Sequence, residues 1–299
     1  MSVIASAIGP VRAPAKINLA LHVVGQRDDG YHLLESLVVF TRFGDRVTVG
    51  RAEADQFVVT GPHASAVPTD GSNLVLRARD TLRSALPSDA GFPVSISLEK
   101  NLPPASGIGD GTRATTAPMP ELARLWGIDD QAPLVEIGLS LGADVPMCLS
   151  PQPALVSGIG ERIERLSSFP PLFVVLVNPG VEVPTPKVFS RLKARNNAAL
   201  ERPVPRNREA LYAWLGETRN DLQAPALELA PAIGEALKAL RVTKARFVRM
   251  SGSGATCFGL YATSREAEIA AADIGRTQPD WFVAATESLA ASGEDHGGN

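Results

Sequence analysis

Residues 14–37, PAKINLALHVVGQRDDGYHLLESL, decide how this chain is read. Within them INLALHVV alternates at period two, as a half-buried strand does, and GQRDDG is a cluster of turn formers. The run YHLLESLVVF that follows reads as a second strand, so Tyr31 and His32 fall on or beside the loop joining the two. Side chains alternate across a strand, which places Lys16 and Asn18, two residues apart, on one face. Two readings of that pair stand at this point: edge residues facing solvent, or a polar pair lining a site. His22 falls on the same face as Asn18 and Ala20 and reads as structural.

Working outward, residues 61–71 form a Pro/Gly/Ser connection, and NLVLRARDTLRSA (73–85) has helical apolar spacing with arginines on its other face. The segment VSISLEK (94–100) alternates like a strand and runs straight into the glycine-rich NLPPASGIGDGT (101–112). Residues 133–141 read as a helix ending near Gly142, and 155–165 as a strand and turn. The Pro170-Pro171 break follows, and it divides the chain into domains of residues 1–166 and 167–299. Beyond it FVVLVNPG (173–180) is a buried strand, TPKVFSRL (185–192) opens a helix, and 202–208 is a Pro/Arg-rich loop. Helices are expected at 220–229, 231–240 and 264–274. ARFVRMSGSGATCFGLYA (245–262) reads as strand, Gly/Ser turn, strand, and residues 281–285 as the last strand.

Two of these junctions suit phosphate chemistry. In Ser106-Gly107-Ile108-Gly109-Asp110-Gly111-Thr112 the alternating glycines let backbone N–H groups approach an anion, and a helix following such a loop adds the positive end of its dipole. The loop lacks the Gly-Lys-Ser/Thr ending of a Walker A motif and the spacing of G-x-G-x-x-G, and a simple turn also fits it. The segment Ser251-Gly252-Ser253-Gly254-Ala255-Thr256 is either a hairpin turn or a second set of donors. Neither serine stands in G-x-S-x-G, which disfavours a serine esterase. Phosphoryl transfer also needs a group to orient or deprotonate the attacking hydroxyl. Asp144, in LGADVPMCL, is the best candidate, because an acid among apolar residues serves solubility poorly; a helix cap is the other reading.

Composition narrows the classes. The chain has 299 residues, 44% hydrophobic and 20% charged, enough to bury a sizeable core. Its net charge of −3 comes from 29 basic and 32 acidic residues intermixed, so neither a nucleic acid nor a membrane is an expected partner. Cys148 and Cys257 lie in apolar stretches without metal-ligand spacing, which fits a reducing cytoplasm, and no metal site is expected beyond a nucleotide's own Mg²⁺. No charged leader or apolar run approaching about 18 residues is present.

Taken together and in order, PAKINLALHVVGQRDDGYHLLESL, KNLPPASGIGDGT, LARLWG, SLGADVPMCL, GIGERIERL, NPGVEVPTPKVF and MSGSGATCFG resemble the GHMP kinases. The pairing of PAKINL with DGYHLL resembles the branch acting on a cytidine diphosphate conjugate of methylerythritol in isoprenoid precursor synthesis. The resemblance runs from residue 14 to residue 259. It implies an α+β, two-domain fold, ribosomal-S5-like then ferredoxin-like, in a cytoplasmic kinase, monomer or homodimer, that uses ATP and Mg²⁺. It implies Asp144 as catalytic base, Lys16 as its electrostatic partner and Asn18 near the acceptor hydroxyl. Tyr31 would stack on the cytosine, His32 would hydrogen-bond it, and Thr185 and Phe189 would close the other side. Gly107, Gly109, Gly111 and Thr112 would hold ATP phosphates, as would Gly252, Ser253 and Gly254, with Asn73 and Lys100 near the adenosine.

The chain departs from the family where the phosphate loop should continue as G-G-S-S/A into an alanine-rich helix; here it reads GIGDGTRATTAPMPELARLWG. Asp110 puts a negative charge where triphosphate would sit, a repulsion of roughly 3 kcal/mol per unit charge at about 6 Å and an effective dielectric of about 20. Arg113 offsets part of it. Proline is tolerated only in the first turn of a helix, so the helix is expected to start near Pro118–Glu121, or residues 110–118 to be poorly ordered. Two other functions are therefore carried forward. One is a GHMP-fold kinase for another small alcohol, such as homoserine or mevalonate, against which Tyr31, His32 and Phe189 speak. The other is a homologue that binds ligand without turnover.

Overall fold

The alternation that begins at Ile17 extends much further than the sequence suggests: β1 runs over Ala7–Gln26 and β2 over His32–Arg51, 20 residues each, and they pair with one another. The computed structural model describes residues 7–84, 86, 91–104, 106–108, 116–128, 134, 137, 145–202 and 204–291. The chain forms two compact units, residues 1–15, 44–104 and 109–150 in the first and 16–43, 105–108 and 151–299 in the second. The interleaving follows from β1 and β2, because each is long enough to run through both.

In the first unit, β4 (Val94–Glu99) pairs antiparallel with Arg46–Arg51 of β2 and parallel with β3 (Gln56–Thr60), a strand with no counterpart in the sequence reading. Val94, Ile96 and Leu98 of β4 point into the core, as strict alternation requires. They meet Val75, Ala78 and Leu82 of α1 (Leu74–Ser84) and Met119, Leu122 and Ala123 of α2 (Met119–Leu125). Helix α2 starts where the prolines dictate, with Pro118 before its first residue and Pro120 in its first turn. The helix expected over 133–141 lies almost entirely outside the described residues. A short helix, α3 (Val145–Leu149), follows.

In the second unit, β5 (Ala154–Gly158) pairs antiparallel with Leu34–Val38 of β2 and with β6 (Arg162–Arg165). A separate antiparallel sheet has the order β10-β7-β9-β8, from β7 (Phe173–Asn178), β8 (Phe247–Met250), β9 (Cys257–Tyr261) and β10 (Phe282–Glu287). With helices between β7 and β8 and again between β9 and β10, this is the β-α-β-β-α-β ferredoxin-like arrangement. All of β9 and nearly all of β7 are buried, which is why both read as continuous apolar runs.

The helices are α4 (Thr185–Ser190), α5 (Arg208–Glu217), α6 (Gln223–Leu229), α7 (Ala232–Arg241) and α8 (Ser264–Thr277). Helix α5 was not expected. Asn207 caps it, its side chain accepting from the N–H of Ala210, and the prolines just upstream mark the end of a loop rather than its middle. Helix α6 starts at Gln223, three residues later than expected, and this leaves Asn220 in a turn. No described helix is long and apolar enough to cross a membrane.

Candidate functional site

Lys16 and Asn18 are not edge residues: both are buried, along with Ala15, Ile17 and Leu19 on the other face of β1. What buries them within the second unit is the Gly/Ser turn between β8 and β9 together with residues 106–108. The N–H of Lys16 donates to Ile108 O (3.0 Å) and that of Thr256 to Ser106 O (3.0 Å). Ser251 Oγ accepts from the N–H of Asn18 (3.0 Å) and donates to Gly107 O (3.2 Å). The Asn18 side chain is locked by its Nδ2, which donates to Ser36 Oγ (2.8 Å), and Ser36 Oγ in turn donates to Ala20 O (2.7 Å).

The two glycine segments named from the sequence therefore meet backbone to backbone. Gly107 has φ +72°, and a Cβ there would lie 2.5 Å from Gly254 O and 2.9 Å from Ser251 O. Gly252, at φ +56°, would bring a Cβ to 2.9 Å from Gly107 O. Only glycine permits this approach. The N–H groups of Gly252 and Ser253 have no partner among the described residues, although the turn is buried. Consecutive inward amides of this kind form the concavity that suits an anion.

A second cluster adjoins the turn. Thr185 Oγ1, at the start of α4, is 2.8 Å from Ser253 Oγ. One helical turn on, Phe189 stacks against His32, centroids 4.7 Å apart and planes at 29°. Tyr31, 62% exposed, stands at the rim. Burial, and then the charge of Arg195, holds the His32 imidazole below its ordinary value, and its Nε2 is buried with no hydrogen-bond partner among the described residues. A neutral ring with one unused nitrogen beside an aromatic face is equipped to receive a planar, hydrogen-bonding group.

Of the other residues named from the sequence, Asn73 and Lys100 lie in the first unit and have protein partners. Asn73 Oδ1 accepts from Val75 N–H (2.8 Å) at the start of α1, and its Nδ2 donates to Pro68 O (2.7 Å). Lys100 Nζ meets Asp45 Oδ2 at 2.8 Å in a buried ion pair, while Asp45 Oδ1 accepts from the N–H groups of Asn101 and Leu102. Asp144, Gly109, Gly111 and Thr112 lie outside the described residues. Sequence reading missed Ser36 and Asn220, and named Ser251 only as part of the Gly/Ser segment; all three tie the site together through hydrogen bonds. The signal was present only for Asn220, an Asx residue two places before the apolar run that becomes α6.

His22 is structural, as expected. Its Nδ1–H donates to Ala198 O (3.1 Å) and its Nε2 accepts from the N–H of Arg219 (3.2 Å), a pattern that only a neutral ring satisfies. Burial is the main force holding His22, His32 and His63 all below the imidazole value of 6.5. A depressed folded-state value gives stability that is complete above the unfolded value and is lost as pH falls through the folded one. The urea midpoint should therefore fall between about pH 7.5 and about pH 5.5. His22→Gln should flatten part of that fall, and a midpoint that rises on acidification would contradict the assignment.

Comparison with known proteins places the chain in a family. The family described as GHMP kinases N terminal domain matches residues 73–152, and GHMP kinases C terminal matches 196–280. The 4-diphosphocytidyl-2-C-methyl-D-erythritol kinase of Mesorhizobium japonicum is 54% identical over 285 residues, 94% of this chain and 96% of its own. That of Brucella melitensis is 49% identical over 282 residues, 93% of this chain and 94% of its own. A crystal structure of 4-(cytidine 5'-diphospho)-2C-methyl-D-erythritol kinase superposes with a TM-score of 0.77 at 32% identity, covering 94% of this chain and 99% of that one. Homoserine kinase from Cytophaga hutchinsonii, at TM-score 0.67 and 18% identity over 97% of this chain and 96% of its own, shares the fold.

Proposed function

Since the chain belongs to the GHMP kinases, and among them to the 4-diphosphocytidyl-2-C-methyl-D-erythritol kinases, we propose a division of its site into a phosphate side and a nucleoside side. It is a phosphotransferase that phosphorylates 4-diphosphocytidyl-2-C-methyl-D-erythritol in isoprenoid precursor biosynthesis. The donor is ATP and the acceptor is the 2-hydroxyl of the methylerythritol part. The reading rests most on one observation: the Gly107 and Gly252–Gly254 backbones close around Lys16 and Asn18, and Thr185 links that turn to the His32–Phe189 stack.

Asp144 takes the proton of the acceptor hydroxyl as its oxygen attacks the γ-phosphorus, the bond to the bridging oxygen breaks, and ADP leaves. The Lys16 ammonium stabilises the negative charge that develops, and Asn18, oriented by Ser36, positions the hydroxyl. The N–H groups of Gly252 and Ser253 hold phosphate oxygens, with Gly254 and Gly107 supplying the close backbone approach; Gly109, Gly111 and Thr112 continue that role. Thr112, together with the phosphates, would hold Mg²⁺, which would supply positive charge to offset that on the transferring group. Asn73 and Lys100 shape the adenosine end through the contacts of their own helix and strand.

The cytosine stacks between Tyr31 and Phe189, with His32 Nε2 supplying a hydrogen bond. We place the boundary between the N- and C-terminal domains at residues 166 and 167, between the family matches over 73–152 and 196–280, while the compact units interleave across it. A cytoplasmic location accords with the buried thiols of Cys148 and Cys257.

Stacking a base on an aromatic side chain contributes about 1–3 kcal/mol. Phe189→Ala should therefore raise KM for the cytidine conjugate roughly 5- to 150-fold and leave KM for ATP unchanged, as read from initial rates with each substrate varied. Assaying mevalonate and homoserine beside the conjugate tests the acceptor: turnover of either at a comparable kcat/KM would reassign it.

A further inference from the structure

The connection between α5 and α6, residues 218–222, contains Arg219-Asn220-Asp221, whose hydrogen bonds run in two directions. Asn220 reaches the Gly/Ser turn: its Nδ2 donates to Met250 O (2.8 Å) and to Gly252 O (2.9 Å), while its Oδ1 accepts from Leu222 N–H (3.0 Å). Asp221 reaches the other way. Its Oδ2 accepts from the N–H of Val23 on β1 (2.7 Å) and from Asn197 Nδ2 (3.2 Å), and its Oδ1 from Arg219 Nε (2.7 Å).

The geometry of a peptide unit gives the Asn220 bonds a consequence for the site. A trans peptide is planar, with its C=O and N–H pointing in opposite directions. Holding Gly252 O toward Asn220 therefore turns the Ser253 N–H away from Asn220. That N–H is one of three in the turn, those of Gly252, Ser253 and Ala255, with no partner among the described residues. Asn220 thus sets the direction of a phosphate-facing donor without touching the phosphate.

Asp221 acts on residues 191–200, which lead out of α4 just after Phe189. Asn197 N–H donates to Val23 O (3.1 Å), Ala198 O accepts from both His22 and Arg219, and Leu200 N–H donates to Glu35 Oε2 (2.7 Å). This strap is bonded to β1 and β2 on either side of the loop that carries Tyr31, and its Arg195 lies close enough for its charge to act on His32.

We propose that Asn220 and Asp221 are positioning residues for the two halves of the site, Asn220 for the phosphate-side turn and Asp221 for the strap walling the nucleoside pocket. The proposal rests on the functional reading given above. Asn220→Asp keeps the size of the side chain and the acceptor for Leu222 but sets an oxygen against two carbonyls; Asn220→Ser keeps one donor and is milder. Asp221→Asn removes the charge that holds Val23, Asn197 and Arg219.

The test uses the full chain, with ATP and the cytidine conjugate each varied, beside hydrogen exchange of the segments 250–256 and 191–200. Asn220→Asp should raise KM for ATP at least about tenfold, leave KM for the conjugate within about threefold, and speed exchange over 250–256 only. Asn220→Ser should show the same pattern at smaller size. Asp221→Asn should show the converse, in KM and over 191–200. Parallel changes in both KM values, or exchange that accelerates equally in both segments for either variant, would overturn the proposal. Should the wild-type chain fail to turn over the conjugate, the functional reading fails, and the exchange pattern still decides whether the two residues act separately.

Discussion

Asp144→Ala should lower turnover of the cytidine conjugate about 10²- to 10⁴-fold, the usual contribution of a positioned general base, while binding of the conjugate stays within about twofold. An alcohol is a poor nucleophile until its proton has somewhere to go. Asp144 follows Leu141-Gly142-Ala143 and precedes the apolar Val145–Leu149 of α3, a neighbourhood with little use for a carboxylate other than chemistry or capping. Asp144→Asn separates those two roles. Asparagine caps helices as well as aspartate does but cannot accept the proton, so the base assignment requires Asp144→Asn to be as slow as Asp144→Ala. Recovery of turnover in the asparagine variant would make residue 144 a cap. Rapid-quench turnover beside calorimetric binding of the conjugate gives both quantities.

The largest effect on stability is expected at Gly107. Alanine there must adopt φ +72°, which costs about 1–2 kcal/mol, and must place a methyl 2.5 Å from Gly254 O and 2.9 Å from Ser251 O. Both obstacles are backbone, so neither can swing aside, and overpacking of this kind costs about 1–3 kcal/mol. The sum, roughly 2–5 kcal/mol, is a large fraction of the 5–15 kcal/mol by which a domain is folded. Urea unfolding of Gly107→Ala should show it as a lowered midpoint with loss of activity. Gly254→Ala is a useful contrast in contact chemistry: its methyl would meet Met250 Sδ at 2.9 Å, a side chain that can move, although φ +92° remains unfavourable. Equal stability of wild type and Gly107→Ala would mean that the two glycine segments do not meet as described.

Much of this could be read from the residues because local rules and tertiary structure agreed. Alternation marked β1 and β4, unbroken apolar runs marked β7 and β9, and prolines set the start of α2 at Met119. Glycines at 107, 252 and 254 marked backbone able to approach a partner closely, and in the fold all three take positive φ. The misses came where one rule masked another. Prolines in the 202–208 stretch hid the Asn207 cap that starts α5, and a helix drawn from residue 220 concealed Asn220 as a turn residue that holds the Gly/Ser loop. Ser36 and the partners of Ser251 could not have been picked out, because a serine's hydrogen bond across 18 or more residues leaves no local pattern. Local pattern left open whether Lys16 and Asn18 face solvent or a site, since a strand's exposure depends on which segments cover it; both are buried.

The altered stretch 110–120 leaves one matter for experiment: whether the phosphate side supports transfer. The chain incubated with ATP, Mg²⁺ and 4-diphosphocytidyl-2-C-methyl-D-erythritol, followed by ³¹P NMR, should show a new phosphomonoester signal growing in step with ADP and with the diphosphate of the conjugate intact. Conjugate bound to the protein while ATP stays unconsumed would contradict the account and leave a ligand-binding relative in place of a kinase.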